Sequence, residues 1–175
     1  MSAKVRHFVT AHTLRNIYFG IFSSLLTYGS QVWGQFINPH ILRLTKIQNK
    51  AIRIITFANF QDEPTALYNK SNILKFSDHV KLENIIYVHN SLGDNLPVPL
   101  RGSFHLAPDS TTRGAAMHKL VLPRARTLYG LNTITYQSAA SWNYILSVLP
   151  TSKVQAVSKA KCKENITEYL IKSYT

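Results

Sequence analysis

The stretch from Ile41 to Phe57 constrains the fold most, because two stripes of side chains run along it at helical spacing. The apolar stripe consists of Leu44, Ile47, Ala51, Ile54 and Ile55. What we call the basic stripe consists of Arg43, Lys46, Lys50 and Arg53. Side chains three and four residues apart share one face of an α-helix. We therefore predict a helix that buries one face and presents four cations on the neighbouring face.

A second helix is predicted before it, from Leu14 to Gly34, and Asn38-Pro39 between the two is typical of a turn and a helix start. Its apolar residues recur at helical spacing: Leu14, Ile17, Tyr18, Ile21, Leu25, Tyr28 and Val32. We expect Tyr28 and Trp33 to anchor the core, since an aromatic stripe at this spacing is more often packed inside than exposed to stack on bases.

The charge balance indicates a polyanionic partner. No acidic residue precedes Asp62, and the 175 residues contain 20 Lys and Arg against 8 Asp and Glu, a formal net charge of +12. At most eight of those cations can be paired, and they are spread through segments that are expected to fold, which favours nucleic acid over a membrane surface. From the spacing alone, a face that only keeps the helix solvated is the commoner explanation.

Two motifs carry a resemblance to a known family. The segments YGSQVWG, from Tyr28 to Gly34, and LTKIQNKAIR, from Leu44 to Arg53, resemble the region after the palm in reverse transcriptases of non-LTR (LINE-type, jockey-like) retrotransposons. The family pattern there reads roughly Y-G-x-x-x-W-G and then L-x-x-[LI]-Q-x-x-A-[IV]-R. The resemblance runs over about Leu14 to Leu170, and the order and spacing of its motifs make it specific.

The tail of that family is matched by short segments in the C-terminal half. The matching segments are Thr112-Arg113, Leu122–Gly130 (LPRARTLYG), Tyr136, Trp142-Asn143 and Leu149-Pro150. One departure is Ser138, where the family usually has glycine.

The resemblance implies that the chain is the thumb and C-terminal segment of such a polymerase, a non-catalytic fragment that binds the template–primer RNA/DNA duplex. The basic stripe would contact phosphates, and a second basic surface would be formed by Arg113, Lys119, Arg124 and Arg126. Such contacts position a duplex without reading its sequence. The missing palm and fingers domains of the parent would be its other partners. Two alternatives stay open: a stand-alone nucleic-acid-binding module, and a helical protein-interaction domain whose charge is incidental.

Catalysis by the chain alone is not expected. Two-metal polymerisation needs clustered carboxylates, which reverse transcriptases supply partly from an [FY]-x-D-D turn that this sequence lacks. The adjacent acids Asp62-Glu63 precede Pro64 in an expected loop, and Pro108-Asp109 begins a nuclease-like pattern that is not completed. We expect no cofactor, and the Mg²⁺ of the parent polymerase would be bound outside this segment. The single Cys162 excludes an intrachain disulfide and a zinc site built on several cysteines.

The remaining patterns predict a mainly α fold. We expect a helical thumb-like region over 1–93, a linker over 94–102 (DNLPVPLRG) and a basic C-terminal region over 103–175. Further helices are predicted over Pro64–Asn69, over Asp78–Leu92 with Ser77 as its N-cap, over Gln137–Leu149, and from Thr151 or Ser152 to about Lys172. The buried face of Gln137–Leu149 is predicted to contain Ala140, Tyr144, Ile145 and Val148.

A small two-stranded β element is predicted in the C-terminal region. Leu120–Leu122 and Leu131–Tyr136 are short and rich in β-branched or aromatic residues, with Leu128-Tyr129-Gly130 in the turn between them.

No signal peptide or membrane anchor is expected. The longest apolar run, Ile17 to Leu26, is interrupted by Gly20 and two serines and falls short of the about 20 residues that a bilayer needs. We therefore expect an intracellular protein, nuclear or cytoplasmic, and not a secreted one.

Overall fold

The computed structural model describes residues 8–35, 39–59, 61–107 and 118–174. Within these ranges the chain is mainly helical, as predicted. The α-helices are α1 (Ala11–Ile17), α2 (Ser24–Thr27), α3 (Ser30–Trp33), α4 (Pro39–Ile55), α5 (Pro64–Ser71), α6 (Phe76–Leu92), α7 (Leu128–Leu131), α8 (Ile134–Val148), α9 (Thr151–Val154) and α10 (Lys159–Lys172). A π-helical turn, Tyr18–Ser23, joins α1 to α2, and a 3-10 turn covers Val98–Leu100.

The chain forms two compact units, one made of 1–79 with 169–175 and the other of 80–168. The helices α6 and α10 each continue from one unit into the other. The division into 1–93, 94–102 and 103–175 follows sequence character and stays a prediction.

The core of the first unit joins residues from both ends of the chain. Its buried members are Leu14, Tyr18, Ala51, Ile52, Ile54, Ile55, Tyr68, Ile73, Ile171 and Tyr174. The C-terminal Tyr174 closes this core with specific polar bonds, since its hydroxyl donates to Asp78 Oδ2 at 2.7 Å and accepts the Lys75 N–H at 3.1 Å. The N-terminal end of α6 is therefore held by a side chain nearly 100 residues away. The helix begins at Phe76, so Ser77, the predicted N-cap, lies inside it.

The predicted helix Leu14–Gly34 is broken. The chain leaves the helix at Tyr28, and Gly29 adopts φ +63°, a left-handed conformation that favours glycine, before α3 begins at Ser30. The motif glycine thus makes a turn that the apolar spacing did not reveal.

The π-helical turn also changes which face is buried. Its wider hydrogen-bonded turn shifts the register, so the residues that face the core are Leu14, Tyr18, the half-buried Phe22 and Leu26, four residues apart. Five predicted core positions are exposed instead: Ile17, Ile21, Leu25, Tyr28 and Val32. The π-helical turn explains the exposure of Ile21 and Leu25, whereas Ile17 precedes it in α1 and Tyr28 and Val32 lie at and beyond the break at Gly29.

The predicted β element is wrong for the described residues, which contain no strand. Leu131–Tyr136 lies in α7, the following turn and the first turn of α8, where Thr127 Oγ1 accepts the Gly130 N–H and caps α7. The β-branched residues at 133–135 are tolerated because α8 buries Ala139, Trp142 and Ile145 completely. Tertiary packing outweighs local β propensity here.

Leu120 does make β-type contacts, but with other partners. It forms a single antiparallel bridge with Leu106, in which Ala107 N–H donates to Lys119 O at 2.8 Å and Val121 N–H to His105 O at 2.9 Å. The Asn143 side chain accepts the Leu120 N–H at 2.8 Å and donates to the Leu120 carbonyl at 2.9 Å. An α8 side chain thus satisfies the backbone groups that a neighbouring strand would otherwise satisfy.

Two further helix predictions need correction. On α8, Tyr144 and Val148 are exposed, and Ser138, Ala139 and Leu146 are buried with Trp142 and Ile145. The predicted last helix is interrupted after Val154 and resumes at Lys159, giving α9 and α10.

Candidate nucleic-acid interface

The helix α4 presents the basic stripe on one side and is packed into the core on another. It begins at Pro39, as the Asn-Pro signal predicts, and buries Ala51, Ile52, Ile54 and Ile55. Ile47 was expected on this buried face but is 52% exposed. The C-terminal half of α4 therefore carries most of its packing.

Gln48 fixes the middle of α4. This side chain is 2% exposed, and its Nε2 donates to Tyr18 Oη and to the Leu74 carbonyl, both at 2.9 Å. Its Oε1 accepts the N–H of Phe76, the first residue of α6, also at 2.9 Å. One buried amide thus joins the π-helical turn, α4 and the start of α6, and it fixes the rotation of α4 about its axis.

Three cations of the basic stripe project into solvent. Arg43, Lys46 and Lys50 are exposed, and no ion pair involves them within the part of the chain that the structure describes. From residue 43 to residue 50 the helix rises by about 10 Å at 1.5 Å per residue. One strand of B-form DNA places a phosphate about every 3.4 Å along the axis. The stripe is long enough to meet two or three successive phosphates.

Arg53 differs from the other three. It is half-buried, and its Nη2 donates to the Asp62 carbonyl at 3.2 Å. The Asp62 carboxylate in turn accepts the Asn59 N–H at 2.7 Å. The fourth predicted phosphate contact therefore holds the loop that follows α4.

Two other cations of the first unit, Arg15 and Lys75, are engaged with the protein. Arg15 Nε donates to the Ser71 carbonyl at 3.2 Å, and its guanidinium lies 5.0 Å from the centre of the Phe19 ring. Lys75 lies 4.6 Å above the Tyr174 ring. These contacts distinguish structural cations from the three exposed ones on α4.

The second basic surface belongs to the second unit and is only partly described. Arg113 lies outside the described residues. Lys119 is half-buried beside the Leu106–Leu120 bridge, and Arg124 and Arg126 are exposed on the extended segment before α7. Lysines near the C-terminus are partly paired, since Lys161 contacts Glu164 at 2.8 Å and Lys163 contacts Glu83 at 3.3 Å.

The aromatic anchors have different outcomes. Tyr28 is 85% exposed, so its predicted place in the core is wrong. Trp33 is half-buried, stacks on Phe76 with ring centres 5.2 Å apart, and donates from Nε1 to the Tyr28 carbonyl at 2.9 Å. Trp142, in α8, is fully buried.

Burial shifts the pKa values of two groups in the cores, Cys162 and Tyr174. Burial raises the pKa of the Cys162 thiol to about 11 and keeps it protonated. Burial, chiefly, and then the Asp78 carboxylate raise the pKa of Tyr174. The half-buried His89 has its Nε2 3.0 Å from the Val157 carbonyl, in agreement with the hydrogen-bonded role that its position on α6 suggests.

Sequence reasoning placed the basic stripe but missed Gln48 and Asn143. Both polar residues lie inside motifs of the family resemblance, the glutamine of L-x-x-I-Q and the asparagine of Trp142-Asn143. Their place in those motifs was the available signal, and the structure gives each a packing role.

No protein-family model, curated protein sequence or solved structure matches the chain. Among the described residues, no group of three His, Cys, Asp or Glu side chains is placed to hold a metal ion. Within the same ranges, each helix is too short or too polar to cross a membrane.

Proposed function

We propose that this chain is a thumb-like and C-terminal segment of a non-LTR retrotransposon reverse transcriptase, and that it binds the template–primer backbone without reading sequence. The observation that carries the binding proposal is a set of three exposed cations on one face of α4 that form no ion pair with any described residue, beside the face that is packed into the core. The family assignment rests on the order and spacing of the motifs.

Rigid presentation of the cations supports phosphate binding. Gln48, two residues from both Lys46 and Lys50, is held by three hydrogen bonds, so α4 cannot rotate freely to move the stripe. Lysine and arginine on a fixed helix lose less freedom on contacting phosphates than they would on a mobile loop. The exposed Arg124 and Arg126 of the second unit would add contacts that are equally independent of sequence.

The test is the salt dependence of binding to a B-form DNA duplex. Each phosphate that a cation neutralises contributes about −0.9 to the slope of log K against log salt. The Lys46→Ala, Lys50→Ala double variant should have a slope shallower by about two units if each lysine meets one phosphate. Affinity should fall by the same factor for duplexes of different sequence.

A charge-matched control separates contact from net charge. Lys70 and Lys159 are exposed and lie outside α4, so the Lys70→Ala, Lys159→Ala double variant removes the same charge. Its slope should stay near that of the parent. Equal slopes for both folded double variants would refute the phosphate contacts on α4. For the family assignment, an [FY]-x-D-D turn encoded upstream in the same reading frame would support it.

A further inference from the structure

An apolar groove lies on the first unit between α4 and the segment formed by α1 and the π-helical turn. Its volume is ≈ 470 Å³, within the range of about 300–1,000 Å³ typical of binding pockets. The lining residues are Ile17, Tyr18, Ile21, Phe22, Ile47, Lys50, Ala51 and Ile54. Ile21 and Ile47 are 62% and 52% exposed, so large aliphatic side chains face solvent from both sides of the groove.

The π-helical turn accounts for the exposure of Ile21. It turns Ile21 away from the core and into the groove, beside Ile17 at the end of α1, and it is held by Ser24 Oγ, which donates to the Gly20 and Ile21 carbonyls at 2.9 Å. Such turns cost helix regularity and are frequent at functional sites.

The chemistry of the lining favours aliphatic side chains over nucleotide bases. A base needs an exposed aromatic face on which to stack. Tyr18 is 2% exposed and its hydroxyl is bound to Gln48, Phe22 is half-buried, and the exposed apolar part of the lining is isoleucine. The groove thus differs in chemistry from a base-stacking surface, and Lys50 belongs both to its lining and to the basic stripe.

The lysines at the edge of the groove determine which charge a partner should carry. Lys50 lines the groove and Lys46 is exposed one turn earlier on the same helix. No acid precedes Asp62 in the sequence, and a second copy of a chain with net charge +12 would be repelled. Complementarity therefore requires an acidic partner.

The shape of the groove fits a helix. Its α4 side runs from Ile47 to Ile54, two turns, which is the span covered by anchors at i, i+3 or i+4, and i+7 of a docked helix. We propose that this groove binds an amphipathic, acidic helix of a partner protein, which inserts aliphatic side chains against Ile21 and Ile47 and places carboxylates beside Lys46 and Lys50.

The test uses the full chain and two designed peptides of about 18 residues, long enough to be helical. Both carry leucine at i, i+3, i+4 and i+7 positions, and one has glutamate and the other lysine at the flanking positions. Binding is measured by fluorescence anisotropy at about 0.15 M ionic strength. The glutamate peptide should bind, and the lysine peptide should bind at least about tenfold more weakly.

Groove variants locate the binding. Ile21→Asp should lower the affinity for the glutamate peptide by about tenfold to a hundredfold, and so should Ile47→Asp on the facing helix. This is the loss expected when one aliphatic side chain is no longer buried. Leu128→Asp is the matched control, because Leu128 is 80% exposed and lies in the other unit, and its affinity should be within about twofold of the parent. Circular dichroism confirms that each variant is folded.

Three results would overturn the proposal. Binding that survives both folded groove variants would place the peptide elsewhere. Self-association that Ile21→Asp abolishes would assign the groove to a second copy. Binding to phosphatidylserine vesicles that requires Ile21, with no binding of the glutamate peptide, would assign it to a membrane surface. The salt slope on DNA is measured separately for Ile21→Ala, which adds no charge beside Lys50, and should equal that of the parent, so loss of the groove can be distinguished from loss of the phosphate contacts.

Discussion

Replacing Gln48 by methionine tests whether one buried amide organises the first unit. Methionine keeps a similar volume and flexible shape, so cavity formation contributes little. The change removes the acceptor of the Phe76 N–H and the donor to the Leu74 carbonyl, whereas the Tyr18 hydroxyl can rotate towards other partners. Two backbone groups left without partners at about 1–3 kcal/mol each give an expected loss of about 2–6 kcal/mol.

That loss is large against the about 5–15 kcal/mol by which domains are usually stable. The free energy of unfolding is measured by urea titration followed by far-ultraviolet circular dichroism. Lys46→Met is the matched control on the exposed face of α4 and should stay within about 0.5 kcal/mol of the parent. A loss below about 1 kcal/mol for Gln48→Met would refute the view that this amide holds α4 against α6.

Gln48→Glu adds a pH signature to the same test. A carboxylate can still accept the Phe76 N–H, but only the protonated form can donate to the Leu74 carbonyl. Burial should raise the folded-state pKa of the new carboxyl above its unfolded value of about 4.3. The stabilising contribution is then fully present below that unfolded pKa and is lost as pH rises through the folded one. A variant whose stability relative to the parent does not fall between pH 4 and 7 would contradict this.

Three further predictions concern single sites. Gly20→Ala should stabilise the protein by about 0.5–1 kcal/mol, because a Cβ there meets no atom within 4 Å. Gly29→Ala should destabilise it by about 1–2 kcal/mol, because φ is +63°. Thermal unfolding of both variants shows whether the two changes in stability have opposite signs. Trp142→Ala should lower the free energy of unfolding, measured by urea titration, by about 3–5 kcal/mol. Tyr144→Ala, on the exposed side of the same helix, should change it by no more than about 0.5 kcal/mol. The buried Cys162 should react with a thiol reagent at pH 8 far more slowly in the folded than in the unfolded protein, and equal labelling rates in the two states would contradict its burial. Because the pKa of this thiol is raised from 9.0 to about 11 in the folded protein, the free energy of unfolding should fall as pH rises between those values.

The helix α4 could be predicted from sequence because its signals agree. Proline at the start, apolar residues at helical spacing and cations beside them all indicate the same helix, and the structure has it within two residues of the predicted ends. The exposed positions of Arg43, Lys46 and Lys50 follow from the same periodicity. Arg53 could not be distinguished from them, because its bond to the Asp62 carbonyl depends on how the following loop folds back.

The segment before α4 could not be predicted in the same way, because its periodicity changes within one helix. A π-helical turn inserts extra backbone, and the apolar pattern of residues 14–32 fits a regular helix well enough to conceal it. The prediction of the β element was wrong because local propensity contains no information on distant contacts. Asn143, which lies 23 residues after Leu120, satisfies both backbone groups of Leu120.

These two failures have different consequences for function. The misassigned β element only relocates backbone hydrogen bonds, and it leaves Arg124 and Arg126 exposed as expected. The misassigned helical face changes the surface itself, because residues counted as core are available on the outside of the first unit. Ile17 and Ile21 lie beside Ile47, another expected core residue that is exposed, and the three line one groove next to Lys50. Ile21 is exposed at the π-helical turn and Ile47 on the regular helix α4, and adjoining exposed aliphatic side chains of this kind mark a candidate binding surface. The π-helical turn therefore forms one side of a candidate binding surface that a regular helical pattern does not predict.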